Sequence, residues 1–232
     1  MDDIERALGE WKESLPTKLE LAGLYARNPA AHKWKAPFRS LVLRESVAWR
    51  AQDLLAQAHI LHLSGHTLGS RILIRSALET IAILIYLNQL MKSVLAGSES
   101  FHEFSEKTSR LLLGSKDKTT KHEAINILTV LRKADDQYPG LMDLYGNLSE
   151  SAHPNFEGIC FGYSRIDHEN RVTNFSNNWV AMYGERHVRS MQLCVVTFSR
   201  EYNDEWPPLF EKLEKWIEAN DAKLEATKGD RP

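Results

Sequence analysis

GSRILIRSALETIAILIYLNQL, residues Gly69–Leu90, is the most apolar long stretch of the chain. Arg71, Arg75 and Glu79 follow one another at intervals of four residues within it, so on a helix they share one face. A largely buried helix that carries two guanidiniums and a carboxylate must give those charges partners or water. The stretch therefore predicts the central helix of an all-helical domain, with a polar cluster along one side.

The length and apolarity of this stretch also invite comparison with a membrane span. Its three charges and several polar side chains favour a buried core helix instead. The first residues, MDDIERALGEWKESL, show neither the basic segment nor the apolar segment of a signal peptide. Two cysteines in 232 residues, Cys160 and Cys194, suit a reducing compartment in which both are unpaired core residues. We therefore expect a cytoplasmic protein with no membrane partner.

Hydrophobic residues recur at helical spacing along almost the whole chain. A long helix from Pro37 to a stop at Gly65 precedes the central helix, which predicts a tight antiparallel hairpin. Other helices are expected at 3–25 (capped by Asp2 or Asp3, with Pro16 as a possible end of a first segment), 101–113, 124–134, 141–152, 179–202 and 204–226, with a frayed tail after Lys228. The length predicts one domain over residues 1–232, or at most one domain with an appended element. We expect an antiparallel helical bundle with its core at 37–200 and the helices 3–25 and 204–226 packed on it.

One segment interrupts the helical pattern. ICFGYSRI and RVTNFS are rich in β-branched and aromatic residues, and they flank the turn-like DHEN. We predict a short β-hairpin or an irregular excursion over residues 159–176, as the only β-like segment of the chain.

Net charge bears on the partners. The chain carries 29 basic and 31 acidic residues, a net charge of −2. Broad non-specific binding to nucleic acid needs a basic footprint, which this balance argues against, although a local basic patch remains open.

A second motif, LYGNLSESAHPN at residues 144–155, places Tyr145, Ser149 and His153 along one face of a helix. His153 ends that helix, because the following proline pushes its backbone out of the helical region. There it either caps the last carbonyls or presents an imidazole beside a hydroxyl and a phenol. The arginines of the central helix have two interpretations as well, an internal salt bridge with Glu79 or a guanidinium aimed at a phosphate.

Metal and cofactor motifs are weak by comparison. His59, His62 and His66 imitate the spacing of a metal-binding face, but Gly65 interrupts it and no cysteine or carboxylate completes the set. The chain has no phosphate-loop glycine pattern, nucleophile elbow or dinucleotide fingerprint. We predict no metal and no cofactor.

Taken together, the two helical motifs resemble those of the HEPN-like domains, helical proteins of prokaryotes that are often encoded near defence or toxin–antitoxin systems. The resemblance covers residues 37–200 and rests on an Arg-x-x-Leu-Glu and a Tyr-x-x-x-Ser-x-x-x-His pattern: Arg75, Leu78, Glu79, Tyr145, Ser149 and His153. It implies a homodimer, and RNA or a protein encoded in the same operon as a further partner.

The resemblance also implies a catalytic site made of Arg75, Glu79, Tyr145, Ser149 and His153. HEPN ribonucleases cleave RNA without metal, so His153 would be the acid or base at the 2′-hydroxyl and Arg75 would stabilise the charge on phosphorus. Active members carry an arginine four to six residues before this histidine. Here those positions hold Ser149, Leu148 and Asn147, which makes Arg75 the candidate replacement.

Two further functions remain open on the sequence. One is a non-catalytic binding or scaffold protein whose polar cluster only locks helices together. The other is a sensor that binds an anionic ligand at Arg71 and Arg75. Solvent access to Arg75 and His153 within one cleft distinguishes a functional cluster from a sealed one.

Overall fold

The computed structural model describes residues 3–228, and in them the all-α prediction is confirmed. Ten α-helices are found there: α1 (Asp3–Ser14), α2 (Leu21–Arg27), α3 (Pro29–His32), α4 (Lys35–Leu63), α5 (Thr67–Leu95), α6 (Phe101–Leu113), α7 (Ile127–Gln137), α8 (Leu141–Ala152), α9 (Trp179–Ser199) and α10 (Trp206–Ala226). The one sheet in this range is the antiparallel pair β1 (Ser164–Asp167) and β2 (Val172–Phe175).

Several predicted boundaries were wrong. The helix expected over 3–25 is broken, because α1 ends at Ser14 and α2 begins at Leu21. Pro16 lies in the break, where its missing N–H cannot continue a helical ladder. At the other end, a π-helical turn at Arg200–Glu205 precedes α10, so that helix begins at Trp206 and not at 204. The alternative cap Asp2 and the tail after Lys228 lie outside the described residues.

The described chain divides into two compact units. The first contains α1 with Arg50–Ile81 and Asp135–Thr197. The second contains Leu15–Trp49, Ala82–Ala134 and the described chain from Phe198 onward. The single domain over 1–232, with its core at 37–200, stays a prediction.

Within the first unit, the end of α4 and the start of α5 form the expected tight hairpin. Gly65 has a positive φ of 76°, the left-handed conformation that glycine adopts most readily at a helix end. Beyond the turn, the Ser70 hydroxyl donates to the carbonyl of Ala58. Ile74 and Leu78 are buried on the apolar side of α5, which leaves its line of charges to face other elements.

The segment after α8 is the least regular part of the first unit. A π-helical turn, Phe156–Phe161, leads into the hairpin. Both strands of the hairpin lie within the segment 159–176, where a β-hairpin or an irregular excursion was predicted. Cys160 and Cys194 are unpaired, as predicted. Cys160 is exposed rather than in the core, because it lies on this turn; Cys194 is buried in α9, and burial raises the pKa of its thiol to about 12.

Buried polar groups of the second unit pair with one another. Glu214 of α10 is buried, with His32 Nε2 at 2.6 Å from its Oε1 and Arg27 donating to the same oxygen. The Asn88 amide of α5 donates to Glu201 Oε2 at 2.7 Å. These contacts satisfy carboxylates that would otherwise be costly to bury.

Candidate functional site

The candidate site lies in the first unit, where α8 packs against the polar side of α5. Gly140, with φ of 95°, is the N-cap residue of α8, and Tyr145 and Leu148 are buried near the middle of this helix. Successive turns of α8 therefore meet successive arginines of α5. The prediction that Arg75 and Glu79 lie close to the helix of Tyr145 and His153 is confirmed.

Arg75 occupies the more open part of this contact. Its Nε donates to Ser149 Oγ at 2.9 Å, and its Nη2 donates to Tyr145 Oη at 2.7 Å. Glu79 Oε1 lies 3.4 Å from the same Nη2 and accepts from the Tyr145 hydroxyl at 3.1 Å. Nη1 makes no hydrogen bond within residues 3–228, and 26% of the Arg75 side chain is exposed. Four of the five predicted residues thus meet, and one donor group of the guanidinium remains available.

Arg71 lies one turn earlier on α5 and is only 2% exposed. Its Nε donates to Ser151 Oγ at 2.8 Å, and its Nη2 donates to Asn147 Oδ1 at 2.7 Å. The guanidinium carbon lies 3.7 Å from the centre of the Tyr183 ring, a cation–π contact. Burial lowers the pKa of Arg71, and the electrostatic effects of Tyr183 and Glu157 oppose that change. Arg71 therefore joins α5 to α8 and α9.

The countercharge for Arg71 comes from the π-helical turn. Ser151, which accepts from Arg71, donates its own hydroxyl to Glu157 Oε1 at 2.7 Å. Gly158 lets the turn fold back so closely that a Cβ there would lie 2.0 Å from the carbonyl oxygen of His153. Sequence reasoning missed Glu157, since neither a helical nor a strand pattern marks its position.

His153 ends α8 with the extended backbone expected before a proline, at φ −90° and ψ 145°. Its backbone N–H donates to the Ser149 carbonyl at 3.1 Å. The imidazole is exposed and forms no hydrogen bond or ion pair with residues 3–228. It therefore stands outside the Arg75 network, at the end of the same helix.

A buried histidine, His187, was missed as a site residue. His187 of α9 is completely buried, with Nε2 at 2.5 Å from Ser70 Oγ and its ring centre 4.9 Å from that of His62. Burial, followed by the charges of His62 and Arg71, lowers the pKa of His187 to about 4. The helical spacing of Tyr183, His187 and Met191 is the one signal that places it on an inward face.

The described residues also bear on metal binding and on membrane insertion. Among residues 3–228, no group of three or more histidine, cysteine or acidic side chains is arranged to hold a metal ion. No helix in the described part of the chain is long and apolar enough to cross a membrane. Comparison of the sequence and structure with protein-family models, curated proteins and solved structures found no match.

Proposed function

We propose that this chain is a HEPN-like protein of a prokaryotic defence, stress or toxin–antitoxin system, and that it binds and cleaves RNA without metal at Arg75 and His153. One observation carries the proposal. Arg75 of α5 donates to Ser149, which stands four residues before His153, within the range where the resembled ribonucleases carry their own arginine. A guanidinium is thus supplied to that position from a neighbouring helix.

The contacts of Arg75 suit a phosphate ligand. Ser149 and Tyr145 hold two sides of the guanidinium, which fixes its plane before a ligand arrives. The remaining Nη1 donor can reach a phosphate oxygen, and a fixed guanidinium stabilises negative charge as it develops on phosphorus. Glu79 Oε1 lies 3.4 Å from Arg75 Nη2. It offsets the positive charge of Arg75 only weakly, because the side chains of both residues are partly exposed.

His153 supplies the proton-transfer group. Its exposed imidazole has no competing partner among the described residues, so it is free to take a proton from the ribose 2′-hydroxyl. Attack of that oxygen on phosphorus would form a 2′,3′-cyclic phosphate as the bond to the 5′ oxygen breaks, and the departing 5′ oxygen would take a proton from water.

The test is cleavage and binding of a labelled single-stranded RNA in buffer containing EDTA. We expect wild-type protein to release a cyclic-phosphate end, His153→Ala to bind RNA without cleaving it, and Arg75→Ala to lose both. His66→Ala removes another exposed histidine of the first unit and serves as the matched control with full activity. Cleavage that survives His153→Ala would contradict the proposed mechanism.

A second candidate is binding of a phosphate-bearing ligand without chemistry. It is favoured by the His153 imidazole, which no described side chain orients or holds in one tautomer. The same experiment separates the two functions: RNA binding that depends on Arg75, with no cleavage by wild-type protein, indicates the binding role alone.

A further inference from the structure

Large apolar side chains are concentrated on the surface between Phe156 and Val180. Eight of them are exposed in this segment, among them Phe156 at 72%, Ile166 at 64% and Phe175 at 81%. With about 150–250 Å² for a fully exposed aromatic side chain, the eight together present roughly 800 Å² of surface. A stable protein–protein interface buries about 800 Å² on each partner, so the exposed apolar side chains of this segment amount to an area of that order.

The hairpin presents part of this surface as one face. In its register Ser164 pairs with Phe175, and Ile166 pairs with Thr173. Side chains of paired residues project to the same side of a sheet, so Ile166 and Phe175 are diagonal neighbours on one face. Both are exposed, so no other described element covers that face.

The outer edge of β2 is also open. The Ser176 N–H donates to the Tyr163 carbonyl, which fixes the alternation of hydrogen bonds along the hairpin. It follows that Thr173 and Phe175 direct their backbone N–H and C=O groups away from β1. Every residue of β2 is exposed, and its sequence VTNF contains none of the charges or prolines that usually protect a sheet edge.

The other edge of the hairpin is different. The Ser164 carbonyl, which projects outward from β1, accepts a hydrogen bond from Arg165 Nη1 at 3.0 Å. Arg165 also stacks its guanidinium on Phe161, with the centres 4.1 Å apart. A charged side chain therefore covers part of the β1 edge, and β2 is the edge available for pairing.

We propose that the Phe156–Val180 segment binds a second copy of this chain, with β2 paired antiparallel to its counterpart about a two-fold axis at Asn174. An antiparallel strand pair of this kind is self-complementary, which suits an interface between identical chains. With the axis at Asn174, Thr173 of one copy faces Phe175 of the other. Every outward backbone group of Thr173 and Phe175 then has a partner.

This register also covers apolar surface. The two Phe175 side chains become diagonal neighbours on one face of the joined sheet, at a separation of roughly 7–8 Å that aromatic rings can span. β2 contains no charged residue, so pairing two copies of it brings no like charges together. The dimer uses no residue of the Arg75 cluster, so a test of this interface does not depend on the proposed RNA cleavage.

Cross-linking tests the register. The two Asn174 residues would form a non-hydrogen-bonded pair with Cα atoms about 4.5 Å apart, within reach of a disulfide. In a Cys160→Ser background, which removes the exposed native thiol, Asn174→Cys should give a covalent dimer on oxidation with diamide. Ser164→Cys is the control, because three strand spacings, roughly 14 Å, would separate the two thiols.

Light scattering on the full chain tests the interface itself. We expect a dimer for wild-type protein, a monomer for Phe175→Lys and a retained dimer for Leu63→Lys, which charges an exposed apolar residue outside the segment. Circular dichroism should be unchanged in both variants. A monomeric wild-type protein at about 100 µM, or a dimer that survives Phe175→Lys, would overturn the proposal. Loss of RNA or vesicle binding by Phe175→Lys, in a protein that is monomeric throughout, would assign the face to that ligand instead.

Discussion

Arg71 and Arg75 lie on successive turns of one helix, yet they are held in different ways. Arg71 is 2% exposed, stacks on Tyr183 and shares Ser151 with Glu157. The Arg75 side chain is 26% exposed and keeps one donor group without a partner among residues 3–228. The buried guanidinium of Arg71 thus holds helices together, whereas the partly exposed guanidinium of Arg75 is accessible to a ligand.

The comparison predicts its largest effect at Arg71. Arg71→Ala leaves Glu157 and Ser151 without their cation and opens a cavity beside Tyr183, so we expect the free energy of unfolding to fall by about 3–5 kcal/mol. At roughly 2–4 °C per kcal/mol for a chain of this size, the midpoint of thermal unfolding should drop by about 10 °C. Arg71→Lys, which keeps the charge but not the planar fork, should lose less. A variant as stable as wild type would show that the buried contacts contribute nothing.

Acidification provides a second test of the sealed region, because His187 is buried beside Arg71. The pKa of His187 is about 4 in the folded chain and 6.5 in the unfolded chain, so the unfolded state takes up the proton first. Stability should therefore be lost as the pH falls from about 6.5 to about 4 and change little from this group outside that window. At about 1.4 kcal/mol per pKa unit, the expected loss is roughly 3 kcal/mol.

Urea unfolding across this pH range measures the loss, with His187→Gln as the comparison. The variant should lack the His187 contribution and show a flatter profile. Since Arg71 is one of the charges that lower the pKa of His187, Arg71→Gln should raise the lower end of this window, while the upper end stays at the unfolded pKa, and the loss of stability should be smaller. Identical profiles for wild type and His187→Gln would contradict the assignment.

The sequence located the helix that carries both arginines but not what distinguishes them. The bounds of α6 and α8 were predicted correctly at Phe101–Leu113 and Leu141–Ala152, because helical periodicity and turn residues mark both ends. The spacing of Arg71, Arg75 and Glu79 shows that they share a face. It does not reveal how deeply each turn of that face is buried, since burial depends on elements distant in the sequence.

The partners of Arg71 show why its burial could not be predicted from the sequence. Tyr183 lies on another helix, and Glu157 lies in a π-helical turn that no simple periodicity identifies. At residues 3–25 the apolar spacing continues past Pro16 although the helix does not, so the alternative that Pro16 ends a first segment was the better prediction. The partners of Arg75 were predictable, because Tyr145 and Ser149 share one face of a helix whose pattern is regular.

A smaller effect on stability is expected at the open position. Arg75→Ala removes partly exposed contacts, so the free energy of unfolding should fall by about 1 kcal/mol or less. Affinity for single-stranded RNA should nevertheless fall at least tenfold, or about 1.4 kcal/mol, because the phosphate loses its fixed guanidinium. Chemical unfolding and fluorescence anisotropy on the same samples measure both. A loss of stability as large as that of Arg71→Ala would show that the two positions do not differ.

The smallest effect on stability is expected at Glu79, the carboxylate beside Arg75. Glu79→Gln keeps an oxygen that can accept from the Tyr145 hydroxyl and removes the charge 3.4 Å from the guanidinium. Such a partly exposed ion pair contributes only about 0–1 kcal/mol, so the midpoint of unfolding should hardly change. Because the carboxylate competes with a phosphate for Arg75, the variant should bind RNA roughly two- to fivefold more tightly at low salt, and the gain should shrink as salt screens the charges. Anisotropy titrations at two salt concentrations measure this. Weaker binding by Glu79→Gln would mean instead that Glu79 positions Arg75 for the ligand.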